Sequence, residues 1–253
     1  MSLRMRELER RLGGPLFVRH GPRVTLTETG ARLAADMGRI LEQVRVAVDH
    51  VAQRRPAALR VSCTPSFARW LAPRLAEFER EPHACPVDLD ASTQLRALAA
   101  GSCDVAVRSG PGAWPGVSAT LLFALERTPM LAPALAERLP LADGPACLLR
   151  APLLKDDQWP DWLAAAGVAT APTQMGHVSY PTQDLQAQAA LAGSGVALLT
   201  PQLFGDLLPD GQLLSPFAQR IGNGQGYFVV TRSDETRPAV AAFVDWLVRL
   251  CRG

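Results

Sequence analysis

The stretch Met5-Arg6-Glu7-Leu8-Glu9-Arg10-Arg11-Leu12-Gly13-Gly14-Pro15-Leu16-Phe17-Val18-Arg19, continued by His20-Gly21-Pro22-Arg23-Val24-Thr25-Leu26-Thr27-Glu28-Thr29-Gly30, carries the most information in this 253-residue chain. Met5, Leu8 and Leu12 recur at helical spacing, and Arg4, Arg6, Glu7, Glu9, Arg10 and Arg11 fill the other faces. Gly13-Gly14-Pro15 ends that helix, because glycine suits a C-terminal cap and proline cannot continue the hydrogen-bond ladder. Val24-Thr25-Leu26 alternates as a short strand does, after a Gly21-Pro22 turn. Thr27 is placed to cap the helix that follows.

Helix, turn, ribbon and helix is the order found at the back half of a winged nucleic-acid-binding module, and charge agrees with it. Residues 1–60 hold twelve arginines and no lysine against six acidic residues, whereas the remainder holds 14 basic and 18 acidic ones. The whole-chain charge of +2 thus hides a basic front and a mildly acidic body. Arginine and glutamate at these spacings also stabilise a solvated helix, so charge alone leaves both readings open.

From Thr29 to about Arg54 one long helix is expected, with Leu33, Met37, Ile40, Val44, Ala47 or Val48, and Val51 forming a heptad-like seam. That seam needs a cover: a second subunit, or the chain's own body. Arg54-Arg55-Pro56 ends the helix. Beyond Ala58, β and α signals alternate. Strands are expected at Leu59–Cys63, Val87–Ala91 and Asp104–Val107, with helices at Ser66–Arg80 and Gln94–Ala100 between them. This β-α-β-α-β run implies a parallel sheet with right-handed crossovers. Helices at Trp159–Ala166, Gln183–Leu191 and Pro238–Leu250, and strands at Val196–Leu199 and Tyr227–Val230, complete the expectation. Gly222-Asn223-Gly224-Gln225-Gly226 precedes a strand instead of opening a helix, so it reads as turn chemistry and not as a phosphate loop.

The spacing Leu8-Glu9, Leu12-Gly13, Leu16-Phe17-x-Arg19 and Val24-x-Leu26-Thr27-x-x-Gly30 closely resembles the second half of the winged helix-turn-helix of LysR-type transcriptional regulators. The body resembles their effector-binding domain, in the subgroup related to glycine-cleavage and β-lactamase regulators. The likeness there rests on Val61-Ser62-Cys63-Thr64-Pro65-Ser66-Phe67-Ala68, Trp70 to Leu75, Asp104 to Gly110, Trp159-Pro160-Asp161-Trp162, Gln188 to Leu198 and Phe243 to Leu247.

The resemblance implies an α/β protein with three parts. A partial winged helix-turn-helix occupies 1–28 and a linker and dimerisation helix 29–56. A two-lobed effector domain resembling periplasmic binding proteins occupies 57–253, with lobe I at about 58–122 plus 233–253 and lobe II at about 123–232. By position, Ser2, Arg4 and Arg6 fall on the DNA-facing part of the recognition helix, and Arg19, His20 and Arg23 on the wing. Arg4 stands where the family often carries Gln, which changes the expected base preference. Double-stranded DNA, a small-molecule effector and a second copy of the chain are the implied partners, with tetramers common in the family. The helices that support the recognition helix would precede Met1. A valine often precedes the serine matching Ser2, and a GTG codon can act as a start, so Met1 is expected to be an internal start and DNA binding by the chain impaired. An in-frame stop directly before Met1 would remove that expectation.

Open α/β sheets bind ligands beyond the carboxyl ends of their strands. Thr64, Pro65 and Ser66 follow the first strand and offer hydroxyls to an anion, or else they cap a helix. Ser92 and Thr93 follow the second strand. Arg108 follows the third, facing an anionic ligand or an acidic neighbour. His177, Tyr180 and Thr182 precede a second-lobe helix at the expected mouth of the cleft. No cofactor or metal is called for. Cys63, Cys85, Cys103, Cys147 and Cys251 are odd in number and lack a C-x-x-C pair, which fits reduced thiols in a cytoplasm. No apolar run is long enough for a membrane span and no signal peptide is read. No nucleophile–base pair or metal-ligand spacing supports an enzyme. The alternative to a regulator is a small-molecule-binding protein of the same fold without DNA-binding activity.

Overall fold

The computed structural model describes residues 3–20, 23–52, 58–92, 103–170 and 175–252. It divides into two compact units, Met1–Ala57 and Ala58–Gly253.

In the first unit, α1 (Leu3–Leu12) leads to an antiparallel pair, β1 (Phe17–His20) and β2 (Arg23–Leu26), and then to the long helix α2 (Glu28–Ala52). One buried side chain, Leu16, organises it. The Leu16 amide donates to Glu9 Oε1 at 2.8 Å, tying α1 to the hairpin. Its carbonyl accepts from the Thr27 amide at 2.9 Å. Thr27 Oγ1 donates to the Pro15 carbonyl at 2.8 Å and accepts the Gly30 amide at 3.0 Å, so the expected cap is present. Gly30 is required by space: a Cβ there would stand 2.1 Å from the Leu16 carbonyl oxygen. The spacing Leu16, Thr27, Gly30 is therefore one hydrogen-bonded corner. Along α2, Met37, Ile40 and Val44 are exposed.

The second unit is built on a six-stranded mixed sheet in the order β4-β3-β5-β8-β6-β7. The strands are β3 (Leu59–Cys63), β4 (Val87–Ala91), β5 (Val105–Gly110), β6 (Val117–Met130), β7 (Ala197–Leu199) and β8 (Ile221–Arg232). β3 pairs in parallel with both β4 and β5, as the alternating pattern predicts. β5–β8, β6–β8 and β6–β7 are antiparallel. The expected helix at 94–100 falls outside the described residues. The expected helix Ser66–Arg80 is broken into α3 (Pro65–Leu71), a 3-10 turn at Ala72–Arg74 and α4 (Leu75–Phe78). Pro73 explains the break, since it has no amide to donate. Helices α5 (Pro133–Ala136), α6 (Trp159–Ala165), α7 (Gln183–Leu191), α8 (Pro201–Phe204) and α9 (Pro238–Arg252) follow.

Two differences matter for function. β6 is a 14-residue strand that the sequence reading left without an element. The glycine-rich stretch is not a turn before β8 but part of it. β6 shifts register twice, between Leu121 and Phe123 opposite Phe228 and Tyr227, and between Ala124 and Glu126 opposite Gly226 to Gly222. Gly226 is needed because a Cβ would meet Leu121 Cδ1 at 2.5 Å and Phe123 O at 3.1 Å. Glycine at a bulge or a close backbone approach explains the composition that looked like turn chemistry.

Three apolar clusters sit on this frame, two large ones and a small one around Cys103, Ala106 and Val230. The larger of the first two holds Phe67, Trp70, Phe78, Phe123, Tyr227, Phe243 and Trp246, and the other holds Leu131, Leu148, Trp159, Trp162 and Leu198. A charged pin closes the edge of the first. The Asp104 carboxylate accepts from the Arg60 amide at 2.8 Å and from Arg237 Nη2 at 3.0 Å. Burial alone would raise its pKa, but the bonds from Arg60 and Arg237 hold it below the usual carboxylate value. The Arg237 guanidinium pulls Glu235 down from 4.5 to about 2. A depressed carboxylate stabilises the fold above its free pKa, and this is lost as pH falls from 4.5 toward 2. Melting temperature should therefore drop across that window, and Arg237→Ala should flatten the drop while lowering stability at neutral pH, as read by thermal melts at stepped pH.

Candidate functional site

The carboxyl end of β3 delivers Thr64 to the start of α3, with Pro65 at the first helical position. Thr64 is the N-cap by position, yet its side chain makes no capping bond. Its hydroxyl is buried without a close, well-aligned hydrogen bond among the described residues. The Tyr227 hydroxyl, on β8, faces it from the crossing strand. Burial raises the Tyr227 pKa, so this hydroxyl remains a neutral donor.

Ser66, 4% exposed, does not cap its own helix. It caps α7 across the fold: the Asp184 amide donates to Ser66 Oγ at 3.1 Å, and Ser66 Oγ donates to Asp184 Oδ1 at 3.0 Å. Thr182, the N-cap residue of α7, makes no side-chain capping bond, so Ser66 supplies the acceptor instead. The next link repeats the device. Gln183 Oε1 accepts the amide of Thr200, which precedes α8, at 2.8 Å.

Beside Tyr227, Arg127 on β6 reaches Asp156 Oδ2 at 2.7 Å, and that carboxylate is 8% exposed. Gln186, on α7, is buried with its amide turned to Lys155 O and Asp156 Oδ2. Arg127 Nε, Gln186 Oε1 and Thr200 Oγ1 are buried with no hydrogen-bond partner among the described residues. Buried polar atoms left unmatched are costly, and a cluster of them fits a site completed by water or ligand.

The structure thus brings Thr64, Pro65, Ser66 and Thr182 to one place. Ser92 follows β4, with its amide on the Cys63 carbonyl at 2.8 Å. Arg108 is 2% exposed and donates to Ser62 O at 2.8 Å, Val107 O at 2.8 Å and Ser62 Oγ at 2.7 Å. It holds β3 to β5 beneath the strand ends, where burial lowers its pKa and nearby Asp90 only partly offsets that. His177 is exposed, and Tyr180 packs on the larger core. Thr93 lies outside the described residues. Tyr227, Arg127, Asp156, Gln183, Asp184 and Gln186 escaped the sequence reading. Tyr227 looked like one more apolar strand residue, and the rest lie in segments with no motif.

On the first unit, Arg4 and Arg6 fall on α1, Arg19 and His20 at the end of β1, and Arg23 at the start of β2. The side chains of these five, and the whole of Ser2, lie outside the described residues.

Residues 52–252 match the LysR substrate binding domain, and residues 1–31 match the bacterial regulatory helix-turn-helix protein of the lysR family. The chain belongs to the LysR family of transcriptional regulators. The HTH-type transcriptional activator AmpR of Rhodobacter capsulatus is 32% identical, over 98% of this chain and 86% of that protein. The glycine cleavage system transcriptional activator of Escherichia coli is 29% identical, over 98% of this chain and 83% of that one. The effector domain of AmpR from Pseudomonas aeruginosa superposes with a TM-score of 0.66 at 29% identity, over 78% of this chain and 96% of that chain. These likenesses agree with the two-lobed α/β body and make the chain a ligand-responsive regulator and not an enzyme. Among the described residues no helix is long and apolar enough to cross a membrane, and no metal-ligating cluster occurs.

The thiol beside this site is chemically quiet. Burial pushes Cys63 from 9.0 up to about 12, and Cys103 up to about 11. A raised thiol pKa helps the fold fully below 9.0, and the benefit is lost as pH rises toward 12. Alkylation of the native protein at pH 8, mapped by mass spectrometry, should leave Cys63 and Cys103 intact after partly exposed Cys85 has reacted. Early labelling of Cys63 would contradict this account.

Proposed function

We propose that this LysR-type regulator senses a small molecule held between lobe I, at about 58–122 plus 233–253, and lobe II, at about 123–232. The observation that carries the reading is the buried polar cluster of Thr64, Tyr227, Arg127 and Gln186. It sits beyond the carboxyl end of a parallel strand and beside the two strands that cross between lobes, where open α/β sheets hold ligands. Ser66 is the contact for an anionic group, since it already holds one carboxylate, that of Asp184. The same proposal takes in Pro65, Ser92, Arg108, His177, Tyr180 and Thr182 around it, and Thr93 by its place in the sequence alone. Tyr227→Phe and Thr64→Val should make output from the regulated promoter insensitive to growth condition, while each costs no more than about 1–3 kcal/mol of stability. A normal response in both variants would remove the assignment.

The DNA-reading part of the proposal uses 1–28, with Ser2, Arg4 and Arg6 toward base edges and Arg19, His20 and Arg23 toward phosphates. Such contacts make binding fall with salt. Leu8 and Leu12 are 38% and 46% exposed, so α1 is held chiefly through Glu9, Leu16 and the hairpin, and we expect weak DNA binding by this chain. Work in a bacterial cytoplasm follows from that role.

Homodimerisation through the linker helix at 29–56 is the reading of its seam, of which Met37, Ile40 and Val44 are exposed, because apolar residues at heptad spacing gain about 1.5–3 kcal/mol each when covered. Tetramers would extend it. Ile40→Glu with Val44→Glu should convert a dimer to a monomer in size-exclusion chromatography with light scattering. An unchanged mass would assign the seam elsewhere. A salt-dependent gel shift on DNA upstream of neighbouring genes separates a regulator with working reading heads from a small-molecule-binding protein of the same fold without DNA-binding activity.

A further inference from the structure

Three side chains between 123 and 232 carry buried polar atoms that no described residue satisfies: Arg127 Nε, Gln186 Oε1 and Thr200 Oγ1. The pairing around them brings all three together. Arg127 Nη1 donates to Asp156 Oδ2 at 2.7 Å, and Gln186 Nε2 reaches the same oxygen at 3.5 Å. That carboxylate is fixed in turn, because its Oδ1 accepts the Gln158 amide at 2.9 Å. Thr200 joins by register: Thr128 stands opposite Leu199 in the antiparallel β6–β7 pair, so Arg127 falls opposite Thr200 one step beyond. The Thr200 amide is also tied to α7, where Gln183 Oε1 accepts it at 2.8 Å, one turn before Gln186.

The unmatched atoms define what would complete them. Arg127 Nε can only donate. Gln186 Oε1 can only accept, and its amide cannot be turned over. The nitrogen faces two acceptors, Lys155 O at 3.4 Å and Asp156 Oδ2, which an oxygen in its place would repel. Thr200 Oγ1 can do either. The charge of Arg127 is already met by Asp156, which is 8% exposed. A carboxylate would serve Arg127 but set an oxygen against Gln186 Oε1 and a second negative charge beside Asp156. An ammonium would serve Gln186 but accept nothing from Arg127. A neutral amide does both, with its oxygen toward Arg127 and its N–H toward Gln186.

We propose that Arg127, Gln186 and Thr200 form a subsite that reads a neutral amide, so that the effector carries a carboxamide or peptide group. This rests on the sensing reading above and adds the chemical class of the molecule sensed. The Arg127 side chain is 21% exposed, which leaves the group within reach of a ligand.

The probes are butyramide and butyrate, which differ only in amide against carboxylate, followed by ligand-observed NMR on the full chain. Butyramide should bind, and an equal concentration of butyrate should not displace it. Gln186→Met should weaken butyramide about tenfold, the loss expected when a hydrogen bond to a buried acceptor is removed. Its melting temperature should hold or rise, because an unmatched buried acceptor gives way to an apolar chain of similar size. Arg127→Lys, which keeps the charge and loses Nε, should weaken butyramide as well. No binding of butyramide, displacement by butyrate, or unchanged affinity in both variants would each overturn the subsite. A promoter reporter comparing Gln186→Met with Tyr227→Phe separates the two readings. If Tyr227→Phe loses the response to growth condition and Gln186→Met keeps it, sensing stands and the amide subsite falls. If both keep the response while Gln186→Met weakens butyramide, the subsite stands as a binding site and the sensing reading falls.

Discussion

The antiparallel pairing of Val117–Met130 with Ile221–Arg232 is the constraint on which the larger unit depends. It runs from Val117 opposite Arg232 to Arg127 opposite Ile221, and the first parallel strands join it through β5. Pairing this long cannot slip by one residue without turning Phe123 and Tyr227 out of the core. It is nevertheless interrupted twice, once opposite Tyr227 and Phe228 and once where the glycines of β8 lie. An interrupted ladder bends and twists more readily than a regular one. The strand pair that fixes the register of the fold is therefore also where its twist changes.

The polar groups gathered beside that pair follow from the same geometry. Arg127 and Tyr227 ride on the paired strands β6 and β8, with Tyr227 buried and Arg127 partly so. A buried ion pair adds little net stability over an apolar pair, yet removing one partner alone is expensive, at roughly 3–5 kcal/mol. Arg127–Asp156 is thus better understood as a device that fixes position than as a source of stability. Capping across the fold has the same character. Ser66 accepts an amide of α7 and Gln183 the amide of Thr200 before α8, so the start of each helix depends on the placing of the element before it.

Sequence reading was strongest where periodicity and turn chemistry agree. The parallel β3, β4 and β5 were legible from alternating runs separated by helical spacing. The Leu16–Thr27–Gly30 corner was legible as a spacing, although its cause, a carbonyl where a side chain would stand, appears only in three dimensions. β6 was missed because Leu121-Leu122-Phe123-Ala124-Leu125 shows no clean alternation: it is bulged, and its burial does not follow period two. Thr64 and Ser66 stand out in the sequence because strand ends are a general site for ligands. Asp184 and Tyr227 were not, since their role depends on a partner 118 or more residues away, and local pattern carries no such information.

A sensor of this kind also needs its resting contacts to be weak. Coupling between a ligand site and a distant site is typically about 1–3 kcal/mol, and a ligand can shift an equilibrium only by its differential affinity for the two states. Contacts much stronger than that would hold the lobes whether or not the effector arrived. A hydroxyl bonded to a carboxylate contributes about 1.5–3 kcal/mol net, and a half-exposed ion pair about 1 kcal/mol or less. The direct polar contacts between α3 and lobe II lie in that range. Stability is carried by the apolar core, which runs from Phe67 and Trp70 of α3 to Ala187, Ala190, Leu203 and Phe204, and the polar contacts above it set position.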